Sequence, residues 1–217
     1  MEEFDLNKAK QFVDYWGKSY SYASVKDYNT NEVIDYLEEL NLGTSLTEIN
    51  LKRLLRWKDP RMLTEKILSG PNKGKENIKV FKVLERRNII NRFREGNLEA
   101  EEFKKTTEEI FPTGFVWQIF LFHIARPFEF PIADRNVFQS FSIHKKTTRP
   151  RDWEGYKNYI DYFFQIAISA SIITERPKGN ELDLKEIVRE LKIVDNALVA
   201  FGQFLNSHFV KTNGVSS

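Results

Sequence analysis

The chain has 217 residues, 41% apolar, 14% aromatic and 29% charged, which suits one compact domain or two intimate lobes and is too short for several independent domains. Glycine (10) and proline (7) fall below their usual combined share of about 12%, which argues against turn-rich sandwiches and barrels. Cysteine is absent, excluding disulfides, iron–sulfur clusters, thiolate zinc sites and a cysteine nucleophile. The three histidines, at 123, 144 and 208, lack ligand spacing, so no metal site is expected. With 33 basic and 31 acidic residues the net charge is +2, and any nucleic-acid preference must come from where the charges lie.

Helical periodicity dominates in chain order. The spacing predicts a helix over 4–20, then one capped by Asn29 or Thr30 with Val33, Ile34, Leu37 and Leu40 on one face. Further helices are predicted over 47–57, 62–68, 76–94 and 98–110. Residues 115–125 are apolar on every side and predict a buried central helix. Helices over 134–144, 153–173 and 183–208 follow, with a frayed tail over 212–217. The fold class is therefore all-α, with nine or ten mostly short helices. The N-terminal MEEFD is acidic where a secretory signal is basic. The longest apolar stretches, 115–125 and 163–173, fall short of the roughly 18–20 residues of a membrane span. The expectation is a soluble, cytoplasmic protein that is monomeric and makes no membrane contact.

One segment carries chemical information: FPTGFVWQIFLFHIARPFEFPIADRNVFQSF, residues 111–141. It reads as a tight Pro/Gly turn, a buried helix, a proline-bearing loop and an aspartate opening another helix. Asp134 is a good N-cap, and most such residues only cap. It is also a carboxylate placed to stabilise the positive sugar that forms when a base leaves, or to orient the attacking water. Trp117 and Trp57 are candidate walls for a flipped base, which such sites hold by stacking; aromatics on apolar helices equally serve as core. His123 reads as a hydrogen-bonded core histidine or a general acid to the leaving base. The run HKKTTRPR, 144–151, supplies Lys145, Lys146, Arg149 and Arg151 with no acid before Asp152; it suits an exposed loop that follows phosphates, or a plain solvated patch. The turn GPNKGK brings Lys73 and Lys75 but lacks a P-loop arrangement.

The order of these features resembles the helix-hairpin-helix (HhH-GPD) DNA glycosylase superfamily, over about thirty residues. In that family a Leu-Pro-Gly-x-Gly hairpin precedes the buried helix, and a catalytic aspartate heads the next one. Here Phe111-Pro112-Thr113-Gly114-Phe115 and Pro131-Ile132-Ala133-Asp134 stand at the matching places, with Thr113 and Phe115 where the family prefers glycine. The resemblance implies a two-lobed fold with a cleft between a lobe of residues 27–125 and one of residues 1–26 plus 126–217. It also implies removal of a damaged or modified base from duplex DNA by hydrolysis at Asp134. The residues at 113–115 would contact the DNA backbone, and no metal or cofactor would be needed. Trp117 stands where bifunctional members carry their Schiff-base lysine, implying a monofunctional enzyme. The missing cysteines place the chain outside the cluster-bearing branch. A non-catalytic DNA-binding relative and a helical protein-interaction scaffold are the alternative readings.

Overall fold

A computed structural model describes residues 4–20, 24–26, 33–60, 63–177 and 184–212. The chain divides into two compact units, a terminal one of Met1–Ser21 with Pro127–Ser217 and a central one of Tyr22–Arg126. The protein is all-α, with ten α-helices among the described residues and one short ribbon. In chain order, helix α1 (Ala9–Trp16) opens the terminal unit between two 3-10 turns, Leu6–Lys8 and Gly17–Ser19. The central unit begins with strands β1 (Ser24–Lys26) and β2 (Val33–Asp35), antiparallel with Val25 opposite Ile34. It continues through α2 (Tyr36–Glu39), α3 (Glu48–Lys58), α4 (Ile78–Glu85), α5 (Arg87–Arg94), α6 (Ala100–Ile110) and α7 (Phe115–Ala125). The terminal unit then resumes with α8 (Arg135–His144), α9 (Trp153–Ser169) and α10 (Leu184–Thr212).

Each unit is built around one helix rich in buried side chains. In the central unit α7 is buried from Gln118 to Ala125. Phe122 meets Phe93 of α5 and Phe103 of α6, and those two rings stack 4.2 Å apart. Each such ring contributes about 1.5–3 kcal/mol on burial, so this cluster is the unit's main anchor. In the terminal unit α9 buries Tyr156, Tyr159, Tyr162 and Phe163. Tyr159 takes Phe138 and Phe141 of α8 edge-on. Helix α10 crosses the start of α8 at Gly202, where a Cβ would lie 2.0 Å from the Asn136 carbonyl oxygen. Only glycine permits that approach.

Several predicted boundaries move. Val33 and Ile34 share a helical face with Leu37 and Leu40 on paper, yet they form β2, and Asp35 caps α2 by accepting from Glu38 N at 3.1 Å. Residues 63–68 are not helical: Lys66 bridges Glu76 in a flap turned at Gly70 and Gly74. The helix predicted over 76–94 breaks into α4 and α5 at Arg86, whose ψ of 10° leaves the helical region. The 153–173 helix stops at Ser169, because Ser171 takes a positive φ. The predicted caps Asn29 and Thr30, the starts at Met62 and Asp183, and the tail from 213 lie outside the described residues, whereas Thr212 closes α10 instead of opening the tail. No helix among the described residues is long and apolar enough to cross a membrane.

Candidate functional site

Asp134 is the N-cap of α8. Its Oδ1 accepts the N–H groups of Asn136 (2.7 Å) and Val137 (2.9 Å), which fixes one carboxylate oxygen and the χ angles. Among the described residues Oδ2 takes no hydrogen bond, and the side chain is half-buried. The loop delivering it is held from behind by α9: Tyr156 donates to Pro131 O at 2.7 Å and Tyr159 to Ile132 O at 3.3 Å. Both tyrosines are wholly buried, and desolvation pushes their phenols well above the usual range, so they remain donors. These two anchors were not singled out in the sequence. Their signal is visible there, as Tyr156, Tyr159 and Tyr162 at intervals of three on one helical face.

Lys145 and Lys146 lie at the other end of α8, roughly 15 Å from Asp134 at 1.5 Å rise per residue, and Arg149 and Arg151 follow in the loop that leads into α9. Lys146 adopts φ 50° as the left-handed residue after the helix, and Thr147 N closes on Ser142 O at 3.0 Å. Arg149 is tied to the side chain of Gln139. Lys145, Arg149 and Arg151 line a concavity of ≈ 590 Å³ that Asp152 and Asp161 share. Asp152 caps α9 through Gly155 N, and Asp161 pairs with Arg176 at 3.4 Å. The patch is therefore positive but not purely so.

The remaining candidates belong to the central unit. Thr113 is exposed in the turn before α7, and Phe115 is half-buried. The turn closes by Gly114 N donating to Phe111 O (3.1 Å) and by the buried Gln118 amide donating to the same oxygen (2.7 Å). A Cβ at Gly114 would meet Trp117 Cδ1 at 2.8 Å, so the glycine lets the indole lie over the turn. Trp117 is half-buried and lines a groove of ≈ 640 Å³. Trp57 and His123 do not line that groove. They sit together elsewhere in the unit's core: Trp57 packs on Tyr36 with centroids 4.5 Å apart, and the Tyr36 hydroxyl hydrogen-bonds His123 Nε2. Both are 4% exposed or less, which is too enclosed to receive a base without opening the core. No group of His, Asp and Glu among the described residues is arranged to hold a metal ion.

Comparison with protein-family models, characterised proteins and solved structures gives no match to this chain.

Proposed function

We propose that the protein binds duplex DNA and hydrolyses the N-glycosidic bond of a damaged or modified base, with Asp134 as the catalytic carboxylate. The observation that carries this reading is the mounting of Asp134. One oxygen is fixed by two backbone N–H groups, the loop beneath is pinned by two buried tyrosines, and the second oxygen takes no hydrogen bond among the described residues. A carboxylate held so closely suits stabilisation of an oxocarbenium-like sugar or orientation of water, which require placement within about 0.5 Å. The basic run 144–151 supports it as a phosphate contact. The two-lobed HhH-GPD architecture and a contact of Thr113, Gly114 and Phe115 with the DNA backbone belong to the same proposal. Trp117 replaces the amine that a lyase needs, so the product is an intact abasic strand.

The test is a panel of modified-base duplexes scored for strand breaks after alkali. Wild type releases one base class. Asp134→Asn keeps the cap, with Tm within a few degrees, and loses excision by at least a hundredfold. Borohydride traps no protein–DNA adduct. Equal excision by wild type and Asp134→Asn removes the assignment. A second reading, a DNA-binding relative without catalysis, is favoured by the fully structural use of Oδ1 as a cap; duplex binding with no excision across the panel selects it.

A further inference from the structure

The groove beside Trp117 is formed wholly within the central unit. One wall is the flap over residues 65–77, held by Ile67 N to Lys75 O (2.9 Å), Gly74 N to Ile67 O (2.8 Å) and Asn77 N to Glu65 O (2.8 Å). That ladder fixes the Ile67 and Leu68 side chains on the same surface as the Trp117 indole and Leu63. The groove therefore exists before any ligand arrives, at a volume inside the ~300–1,000 Å³ range of small-molecule sites. Ile78 at its edge is 69% exposed, an apolar side chain with little of its own surface covered. Two cations, Lys75 and Lys79, stand on the lining against one acid, Glu76. Lys75 is held in place by the Asn72 amide oxygen at 3.1 Å.

An indole on a groove wall suits a planar π-system, and ammonium groups on the same lining suit an anion joined to it. We propose that this groove binds a single nucleotide, with its base against Trp117 and its phosphate on Lys75 and Lys79. The ligand class rests on the nucleic-acid reading above; it does not depend on the chemistry of Asp134. A free mononucleotide and a nucleotide within a single strand offer the same chemistry.

The experiment follows tryptophan fluorescence of the full chain against dAMP, deoxyadenosine, inorganic phosphate and an unmodified oligodeoxythymidine. Saturable quenching by dAMP or by the strand is expected, with deoxyadenosine and phosphate about tenfold weaker or worse. The tighter of the first two identifies the source. Trp117→Phe removes the optical change. The double variant Lys75→Gln with Lys79→Gln alters two exposed side chains, so it keeps the fold while weakening binding about tenfold or more. No quenching by either nucleotide form, equal binding of deoxyadenosine and dAMP, or wild-type affinity in the double lysine variant each overturns the proposal. Every probe carries an ordinary base, so the outcome is separate from excision. Excision without quenching removes the groove and leaves Asp134, and quenching without excision does the reverse.

Discussion

Arg94 and Arg126 close each other's helices. Arg94 Nη1 donates to Ile124 O (3.0 Å) in the last turn of α7, and Arg126 Nε donates to Phe93 O (2.7 Å) in the last turn of α5. Arg126 also lies over the Phe93 ring, 4.4 Å from its centroid. Arg94 reaches further, with Nη2 donating to Leu40 O (2.7 Å) and Asn41 O (2.8 Å) at the end of α2. One guanidinium thus satisfies the orphan carbonyls of two helices and opposes the negative ends of both dipoles. Burial pulls its pKa down to about 10, with Glu95 acting the other way.

Arg94→Leu should therefore cost on the order of 3–5 kcal/mol, because several buried carbonyls lose their donor together. Arg94→Lys should recover only part of it, since a single ammonium lacks the fork that spans α2 and α7. Urea denaturation reads both. A loss below about 1 kcal/mol for the leucine variant would show that water replaces the guanidinium.

His144 makes the stability depend on pH. Its ring is stacked between Phe4 (4.2 Å) and Phe201 (4.9 Å), and its Nδ1 hydrogen-bonds the buried Tyr162 hydroxyl. Burial lowers its pKa from 6.5 to about 4. Above pH 6.5 both folded and unfolded forms are neutral and the stability is at its full value. Between 6.5 and 4 the unfolded chain binds the proton and the folded one does not, so stability falls as pH falls, by up to about 3 kcal/mol. His144→Phe should flatten the slope in that window relative to wild type. At neutral pH it should cost about 1–3 kcal/mol, because the Tyr162 hydroxyl is left without its partner. Denaturant midpoints from pH 4 to 7.5 measure both, and parallel slopes would place the proton uptake elsewhere.

The parts of the fold that were legible are those where local signals agree. Asp134 precedes an amphipathic run that ends in a basic turn, and α8 starts and stops within a residue of that reading. Thr47 and Asn50 form the reciprocal cap of α3, as the polar opening before Leu51, Leu54 and Leu55 suggests. The errors fall where two local readings compete. Val33 and Ile34 fit a helical face, but as β-branched residues they also fit a strand, and β1 supplies the partner. The true cap, Asp35, had its own signal in Glu38 and Glu39 of the first turn. The break at Arg86 has neither glycine nor proline to announce it. The pairing of His123 with Tyr36 spans 87 positions and is a product of packing alone. For the same reason the Trp117 groove was not readable, since its other wall comes from residues 63–79.

Gly202 ties α10 to the residues that follow Asp134. Any side chain there meets the Asn136 carbonyl, with its oxygen at 2.0 Å and its carbon at 2.5 Å from the added Cβ. The Asn206 amide also donates to Asn136 Oδ1 at 2.8 Å, so the helices cannot separate without losing this bond. Gly202→Ala should destabilise by about 1–3 kcal/mol through overpacking, despite alanine's better helix propensity. On the proposed function, excision should fall further than stability predicts, because the displaced backbone is the first turn capped by Asp134. Thermal melting and activity on one sample separate the two. An unchanged Tm would show that α10 moves aside at no cost.

On the proposed function, the basic run that begins at the far end of α8 should set the salt dependence of DNA binding. Lys145 and Lys146 stand roughly 15 Å from Asp134 along α8, which corresponds to about four or five nucleotides of one strand, at ~3.4 Å each. On the proposed function these two lysines should therefore meet phosphates that distance from the reacting nucleotide and not its own. Within the run the residues are unequal. Lys145, Lys146 and Arg151 are exposed, whereas Arg149 is half-buried on Gln139. Replacing Lys145, Lys146, Arg149 and Arg151 together by alanine should weaken duplex binding. It should also lower the slope of log K against log salt by about 0.9 for each phosphate that is no longer neutralised. Lys145→Ala, Lys146→Ala and Arg151→Ala together should account for most of that change. Arg149→Ala should act mainly on local stability, by about 1 kcal/mol, through its missing side-chain bond. A slope unchanged in the quadruple variant removes the run from the interface. A slope carried by Arg149 alone would mean that the Gln139 bond opens when phosphate arrives.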